Sequence, residues 1–353
     1  MSVAQLNVHH VRNIASAQLT LHPRYNVFYG ANGSGKTSLL EAIYLLSTGH
    51  SFGTREIASL VQRGESALTV FARTHAQDTV SIQKSIAHPT QVKINQQPCQ
   101  RSSDLAHFFP CQAFHQGIFQ IMDEGPSVRR SLLDWGLFHV EPSYLSVWKD
   151  YRRIVKQRNA LLRQKASLPH CLPWNSMLVE RAVALDRMRA DYFKQWSSVF
   201  QTFVSQLTDT PCTIHYYKGW DKKGSGKDLS TILLEQFNSD IQAQYTHSGA
   251  HHADILFDAG PIGGKPSLSR GQQKIILVAL RLAQAHLLPK PCVYLFDDIT
   301  AELDSNHVER FFNCLNQVKG QFFLTSIDPN HLLNAYTGPQ QSTVYLIKKG
   351  CFT

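Results

Sequence analysis

Eight consecutive residues, Gly30-Ala31-Asn32-Gly33-Ser34-Gly35-Lys36-Thr37, constrain this chain most, because they fit the pattern G-x-x-x-x-G-K-[ST]. Glycines let such a loop curl until its N–H groups and the start of the next helix, here with Ser38, surround a β-phosphate. Lys36 then reaches the β and γ oxygens, and the Thr37 hydroxyl is offered to Mg²⁺. The mechanism requires a strand before the loop and a helix after it. Residues 25–29 (Tyr-Asn-Val-Phe-Tyr) form a strand-like run, and Leu39, Leu40, Ile43 and Leu46 recur at helical spacing until Gly49. A chance glycine turn would not come with both flanks. The expectation is an α/β fold with ATP and Mg²⁺ as ligands.

The chain has 353 residues, more than one core usually serves, so two domains or one domain with a large insertion are expected. An apolar share of 43% excludes disorder. No apolar run approaches the roughly 20 residues of a membrane span, and no basic start leads into an apolar stretch, so a soluble, cytoplasmic protein is expected. Seven widely spaced cysteines suggest reduced, mostly buried thiols instead of a zinc or disulfide framework.

Short alternations at residues 5–21 predict two strands joined by a turn, and residues 68–73, 79–86 and 91–95 predict a further antiparallel sheet. Glycine thins out near residue 126. From there one helical face carries Tyr144, Trp148, Tyr151, Val155 and Leu162. After a break at Pro169 to Pro173, another carries Leu185, Met188, Tyr192, Trp196, Val199 and Phe203. Two antiparallel helices follow from this pattern. The glycine-rich stretch at residues 219–228 reads as a turn and not a second phosphate loop, since no helix start is evident after Lys227-Asp228. Beyond residue 268 the α/β texture returns: a helix near 270–288, a strand at 293–296, a helix near 305–317, and strands at 322–325 and 344–347. This places an N-terminal part of the head at residues 1–110, a helical arm at 111–250 and the rest of the head at 251–353.

Val293-Tyr294-Leu295-Phe296-Asp297-Asp298 is an apolar strand ending in two acids. Asp297 stands where a carboxylate would hold Mg²⁺ through water, and Asp298 where one could take a proton from the attacking water. Taken by themselves, the two acids could equally cap a helix. Leu268-Ser269-Arg270-Gly271-Gln272-Gln273-Lys274 opens a helix, with Ser269 and Gly271 in its first turn.

Those runs, in that order, are similar to the signature motif, Walker B and D-loop of ATP-binding-cassette ATPases; the D-loop-like stretch runs from Asp297 through Ile299-Thr300-Ala301-Glu302-Leu303 to Asp304. The resemblance narrows to the RecF family of bacterial recombination and repair ATPases and covers nearly the whole chain. It is carried by Val11-Arg12-Asn13, by the phosphate loop continuing to Leu40-Glu41-Ala42-Ile43, by Gly125-Pro126 with Arg129-Arg130, Leu133-Asp134-Trp135-Gly136 and His139-Val140-Glu141-Pro142, and by residues 156–162 (Lys-Gln-Arg-Asn-Ala-Leu-Leu). It implies an ABC-type P-loop ATPase head with an inserted helical arm. It also implies a homodimer formed on ATP, slow hydrolysis, binding of single- and double-stranded DNA without sequence preference, and action with RecO and RecR to direct RecA onto gaps. Ser269, Gly271 and Gln272 would meet the γ-phosphate held by the opposite subunit, and Asp304 would contact that subunit or simply cap its helix. Arg12 resembles a head-domain arginine near the nucleotide, with an exposed hairpin charge as the alternative. Gln116 looks like the glutamine that senses Mg²⁺, with Gln112 competing. Ser326 and Ile327 fill the region where the switch histidine is expected, and Gly53 stands where relatives often carry arginine.

Thirty-five Lys and Arg against 26 Asp and Glu give +9, which suits a phosphate-rich partner. Between residues 126 and 165 nine basic residues face three acids. Arg129, Arg130, Arg152, Arg153, Lys156 and Arg158 are the expected DNA contacts, and a solvated helix face is the plain alternative. A transporter-driving cassette subunit would need a coupling groove in place of this arm, and a chromosome-organising ATPase would need a hinge and far more residues. His247, His251, His252 and Asp254 could be imagined around a metal, but loop roles account for them better.

Overall fold

A computed structural model describes residues 2–260, 268–298, 304–328 and 342–353. The chain divides into two compact units, Met1–Ile118 with Leu288–Thr353, and Phe119–Leu287.

The first unit opens with β1 (Val3–Val11), β2 (Ile14–Thr20), β3 (Tyr25–Tyr29), α1 (Lys36–Thr48), β4 (Ala67–Thr74), β5 (Thr79–Ser85), β6 (Gln91–Ile94), β7 (Gln97–Pro98), α2 (Ser102–Phe108) and β8 (Cys111–Phe114). In β1 the alternation buries Leu6 and Val8 while His9 is exposed and Asn7 partly covered, as one more deeply covered face requires. The strands at 67–94 do not form a separate sheet: β4 pairs with β1, giving one antiparallel order β2-β1-β4-β5-β6-β7. Helix α1 ends at Gly49, whose left-handed φ of 73° lets its N–H return to the Leu45 carbonyl.

The second unit holds α3 (Gln120–Asp123), α4 (Pro126–Val140), α5 (Tyr144–Arg163), α6 (Leu168–Leu207), β9 (Thr213–Tyr217), α7 (Leu229–Glu235), α8 (Phe237–Ala243), β10 (Asp254–Asp258) and α9 (Arg270–Leu287). The break expected at Pro169 to Pro173 falls earlier, at residues 164–167, between the end of α5 and the start of α6. Helix α6 starts at Leu168 with Pro169 in its first turn, where a missing N–H costs nothing, and Pro173 lies inside the helix. At 40 residues, α6 packs along both α5 and α9, and the Trp196 indole donates to the Leu280 carbonyl at 2.9 Å.

A helix does start after Asp228, contrary to expectation: its carboxylate accepts the Thr231 N–H and caps α7. The glycine-rich stretch before it still has no place for a phosphate. Asp221 occupies its N–H groups, accepting from Ser225 and Gly226 at 2.7 and 2.9 Å.

The chain returns to the first unit with β11 (Cys292–Phe296), α10 (Ser305–Asn316), β12 (Gly320–Ser326), β13 (Ser342–Lys348) and β14 (Cys351–Phe352). The second sheet runs β14-β13-β3-β12-β11-β8, with β13, β3, β12, β11 and β8 parallel. All five residues of β11 are buried, as expected of a parallel strand covered on both faces. Helix α1 packs on both sheets in one core, and α10 covers the other face of the parallel sheet through Phe311 on Phe296 and Phe312 on Tyr25. Among the described residues, no helix is long and apolar enough to cross a membrane.

Candidate functional site

The glycine loop leaves the C-terminal end of β3 and enters α1 at Lys36. Gly30 cannot carry a side chain, since a Cβ there would lie 2.3 Å from the Ile347 carbonyl oxygen. Gly35 has φ of 119° and sits against the Asn13 amide. Asn13 itself donates to the Gly33 carbonyl at 3.0 Å and accepts from the Ser38 hydroxyl at 2.9 Å, so the β1–β2 turn braces the loop. Ser34 accepts from Gly350 N–H through its carbonyl. Ala31 and Asn32 form the exposed crest between these anchors.

Lys36 is 7% exposed, and its ammonium donates to the Gly30 and Ala31 carbonyls at 2.7 and 3.1 Å. Burial lowers its pKa, and the nearby Asp298 and Asp297 carboxylates work in the opposite sense. Thr37 donates to the Asp297 carboxylate, with its hydroxyl 2.9 and 3.1 Å from the two oxygens. Thr325, at the end of β12, completes the set: its hydroxyl donates to Asp297 at 3.0 Å and accepts the Asp298 N–H at 2.8 Å. Burial raises the Asp297 pKa, with these two hydroxyls pulling it down and Asp298 pushing it up. Asp298 adopts a left-handed φ of 49°, which Asp tolerates better than most residues and which redirects the chain at the strand end. Thus Lys36, Thr37, Asp297 and Asp298 come together at the C-terminal ends of β3 and β11. Neither Asn13 nor Thr325 was anticipated as part of the site. Asn13 had its signal in the Val-Arg-Asn run, whereas Thr325 is marked only by ending a strand.

Gln116 is exposed on the turn after β8, beyond the backbone bond from Asp297 N–H to the Phe114 carbonyl. Its competitor Gln112 lies within β8, 1% exposed and level with Tyr294, and is therefore removed from the loop position. Arg12, with φ of 52°, turns its guanidinium onto the buried Glu41 of α1, donating from Nη2 at 2.8 Å, so it is not a free hairpin charge. Glu41 also accepts from the Ser51 hydroxyl, and a Cβ at Gly53 would meet it at 2.4 Å. Residues 299–303 of the D-loop-like stretch lie outside the described residues. Asp304 is exposed and caps α10, accepting the His307 N–H at 2.8 Å.

In the second unit, Ser269 and Gln272 form a reciprocal capping box at the head of α9: Gln272 N–H donates to the Ser269 hydroxyl at 3.2 Å, and Ser269 N–H to Gln272 Oε1 at 2.9 Å. Gly271 lies in the first turn. The helix start is thus rigid, with Ser269 exposed.

The expected DNA contacts separate sharply. Arg152, Arg153 and Lys156 are exposed on α5, and helical spacing brings Lys149 and Arg163 onto the same stripe. Arg152 stacks on the Trp148 ring at 4.8 Å. Arg158 must be withdrawn from the set. It faces the opposite side, fully buried, and donates to Asp240 and Thr246 at 2.7 Å and to Asn175 at 2.7 Å. Arg129 is likewise committed, bidentate on Asp254 at 2.7 and 3.0 Å with the Ile121 and Glu124 carbonyls, and Arg130 donates to the Ala253 carbonyl at 2.7 Å. The donors of Arg129 are used inside the unit, so it leaves the phosphate-contacting set, while Arg130, half-buried, spends one donor there. His247 and His251 serve the same interior, on Asp240 and Tyr151.

A phosphate loop braced by a strand turn, strand-end acids on a parallel sheet, and a capped serine at the head of a long helix define a P-loop ATPase head of the ABC/SMC class. Residues 2–353 match the RecF/RecN/SMC N-terminal domain family. The chain is 34% identical to the DNA replication and repair protein RecF of Pseudomonas syringae pv. tomato, covering 100% of this chain and 98% of that one. It is 36% identical to RecF of Shewanella amazonensis, covering 96% of each. The fold matches the recombination mediator protein RecF with ATP, of the RecFOR pathway, at a TM-score of 0.81 and 20% identity over 99% of this chain and 98% of that one. It also matches the Smc head domain of Pyrococcus furiosus at 0.62 and 13% identity, over 100% and 95%. This chain belongs to the RecF family of DNA replication and repair proteins. A transporter subunit finds no support in these likenesses.

Proposed function

We propose that this protein is an ATP-gated DNA clamp of recombinational repair, acting with RecO and RecR to direct RecA onto gapped DNA. The observation that carries the reading is the meeting of Lys36, Thr37, Asp297 and Asp298 at one sheet edge. The hydroxyl–carboxylate pair of Thr37 and Asp297 is a hard oxygen set that suits Mg²⁺. The loop from Gly30 to Ser38 would hold the phosphates of ATP. Bound Mg²⁺ would neutralise phosphate charge, Asp298 would accept the water's proton, and Gln116 would watch the same edge from the turn after β8. Arg12, held by Glu41, would flank the nucleotide.

Ser269, Gly271 and Gln272 of one subunit would close over the nucleotide of the other, with Asp304 beside them, so that nucleotide binding energy becomes dimerisation energy. Turnover would be slow, because Ser326 and Ile327 follow Thr325 where a sensing histidine is expected. Arg152, Arg153 and Lys156, joined by Lys149 and Arg163, would neutralise phosphates of single- or double-stranded DNA without reading bases.

Sedimentation with and without ATP and duplex DNA tests this. The protein is expected to dimerise only with ATP and to hold duplex as the dimer. Ser269→Arg should keep nucleotide binding and lose the dimer. A monomer at saturating ATP that still grips duplex overturns the reading.

A further inference from the structure

Strand β5 turns Val80, Ile82 and Lys84 toward the core, and all three are buried. The period-two pattern asks for an apolar side chain at the third position. It carries an ammonium group instead, and the residue is only 5% exposed. Burial lowers its pKa, and no acidic neighbour acts against that. Its single hydrogen bond among the described residues runs to the Thr90 hydroxyl at a long 3.3 Å. An ammonium has three donors, so most of its capacity is unspent.

Lys84 lines a cavity of about 200 Å³ at the C-terminal end of α1. Two other basic side chains, His50 and Arg101, line the same cavity with the hydroxyl-bearing Thr48, Thr90 and Ser102, and no Asp or Glu does. The nearest acid of α2, Asp104, is exposed and lies outside the lining. A carboxylate would use two acceptors here; a phosphate group presents three or four oxygens to this donor set. The 13 residues of α1 separate this cavity from the phosphate loop, roughly 18 Å along the helix axis. We propose that the Lys84–Arg101 cavity is a second phosphate-binding site, distinct from the nucleotide loop. It takes either free phosphate or the terminal phosphate of a polynucleotide.

Inorganic phosphate, titrated by calorimetry into the full chain carrying Lys36→Ala to silence the loop, tests the site. Saturable binding is expected, weakened at least about tenfold by Lys84→Met and several-fold by Arg101→Gln, the latter an exposed change that leaves the core intact. A 5′-phosphorylated oligonucleotide compared with its 5′-hydroxyl form separates the sources. A phosphate-dependent gain that Lys84→Met removes assigns the polynucleotide end, and equal binding of the two forms assigns free phosphate. Absence of saturable phosphate binding, or unchanged affinity in both variants, overturns the proposal.

Discussion

The phosphate loop and the basic helix α5 use charge in opposite ways. At the loop the charged groups are few, and Lys36 and Asp297 are each met by a fixed partner, from the loop itself or from a neighbouring element. Lys36 rests on the Gly30 and Ala31 carbonyls, and Asp297 on hydroxyls from α1 and β12. On α5 the cations are many and the fold sorts them by face: Arg152, Arg153 and Lys156 face solvent, while Arg158 sits in the interior on Asp240. A motif with fixed spacing specifies geometry. A count of basic residues specifies only sign, and the helix decides which of them anything outside can touch.

The contrast can be broken most forcefully at the loop. Lys36→Arg should retain ATP binding while hydrolysis falls about 1000-fold, roughly 4 kcal/mol of barrier. Normal turnover in a phosphate-release assay would remove Lys36 from its role. Next comes the interior of the second unit, where Arg158→Met should cost about 3–5 kcal/mol in urea unfolding by stranding the Asp240 charge. Restoration by the double change Arg158→Met with Asp240→Leu would identify the Asp240 carboxylate, left with His247 and without its guanidinium, as the cause, and wild-type stability in the single variant would contradict the buried pairing.

A third, smaller effect depends on pH. His251 accepts the Tyr151 hydroxyl at Nδ1, 2.6 Å away, and donates from Nε2 to the Thr246 carbonyl at 3.0 Å, an arrangement of the neutral ring. Burial first, then His252, Arg130 and Arg158, lower its pKa from the ordinary 6.5 to about 4. The folded value lies below the unfolded one. Stability from this group is therefore complete above pH 6.5 and lost as pH falls toward 4, by about 3 kcal/mol. Urea midpoints at pH 7 and pH 4 should show that loss, and His251→Gln should remove its share.

The smallest effect on stability belongs to the exposed face. Arg152→Glu with Arg153→Glu should change unfolding by less than about 0.5 kcal/mol. Duplex binding should nonetheless weaken, with the salt slope flattening by about two. An unchanged slope would clear the stripe of phosphate contact.

The strands, the phosphate-loop helix and the return to α/β texture were readable because period and punctuation agree there: alternation in β1, spacing to Gly49 in α1, an apolar run in β11. Arg158 was readable too, and was missed. It falls between Val155 and Leu162 on the very face that Tyr151 marks as core, but charge outweighed spacing in the sequence reading. Asp228 was hidden the same way, its cap signal masked by the glycines before it. Thr325 had no local signal beyond its place near the end of a strand, since its partners Asp297 and Asp298 follow another strand and only parallel pairing unites them. Gln112 and Gln116 differ by one helical turn in sequence, and only the extent of β8 separates a buried strand position from an exposed loop.

Helix α6 joins two things usually treated apart. Its Asn175 accepts from Arg158 beneath the basic stripe, and its Trp196 grips the Leu280 carbonyl in the helix headed by Ser269. One helix makes both grips, so within this unit the first turn of α9 and the underside of the basic stripe are tied to the same rod, with no linker between them. Within this unit, the part that would sense the nucleotide and the part that would hold the polyanion share one stiff beam.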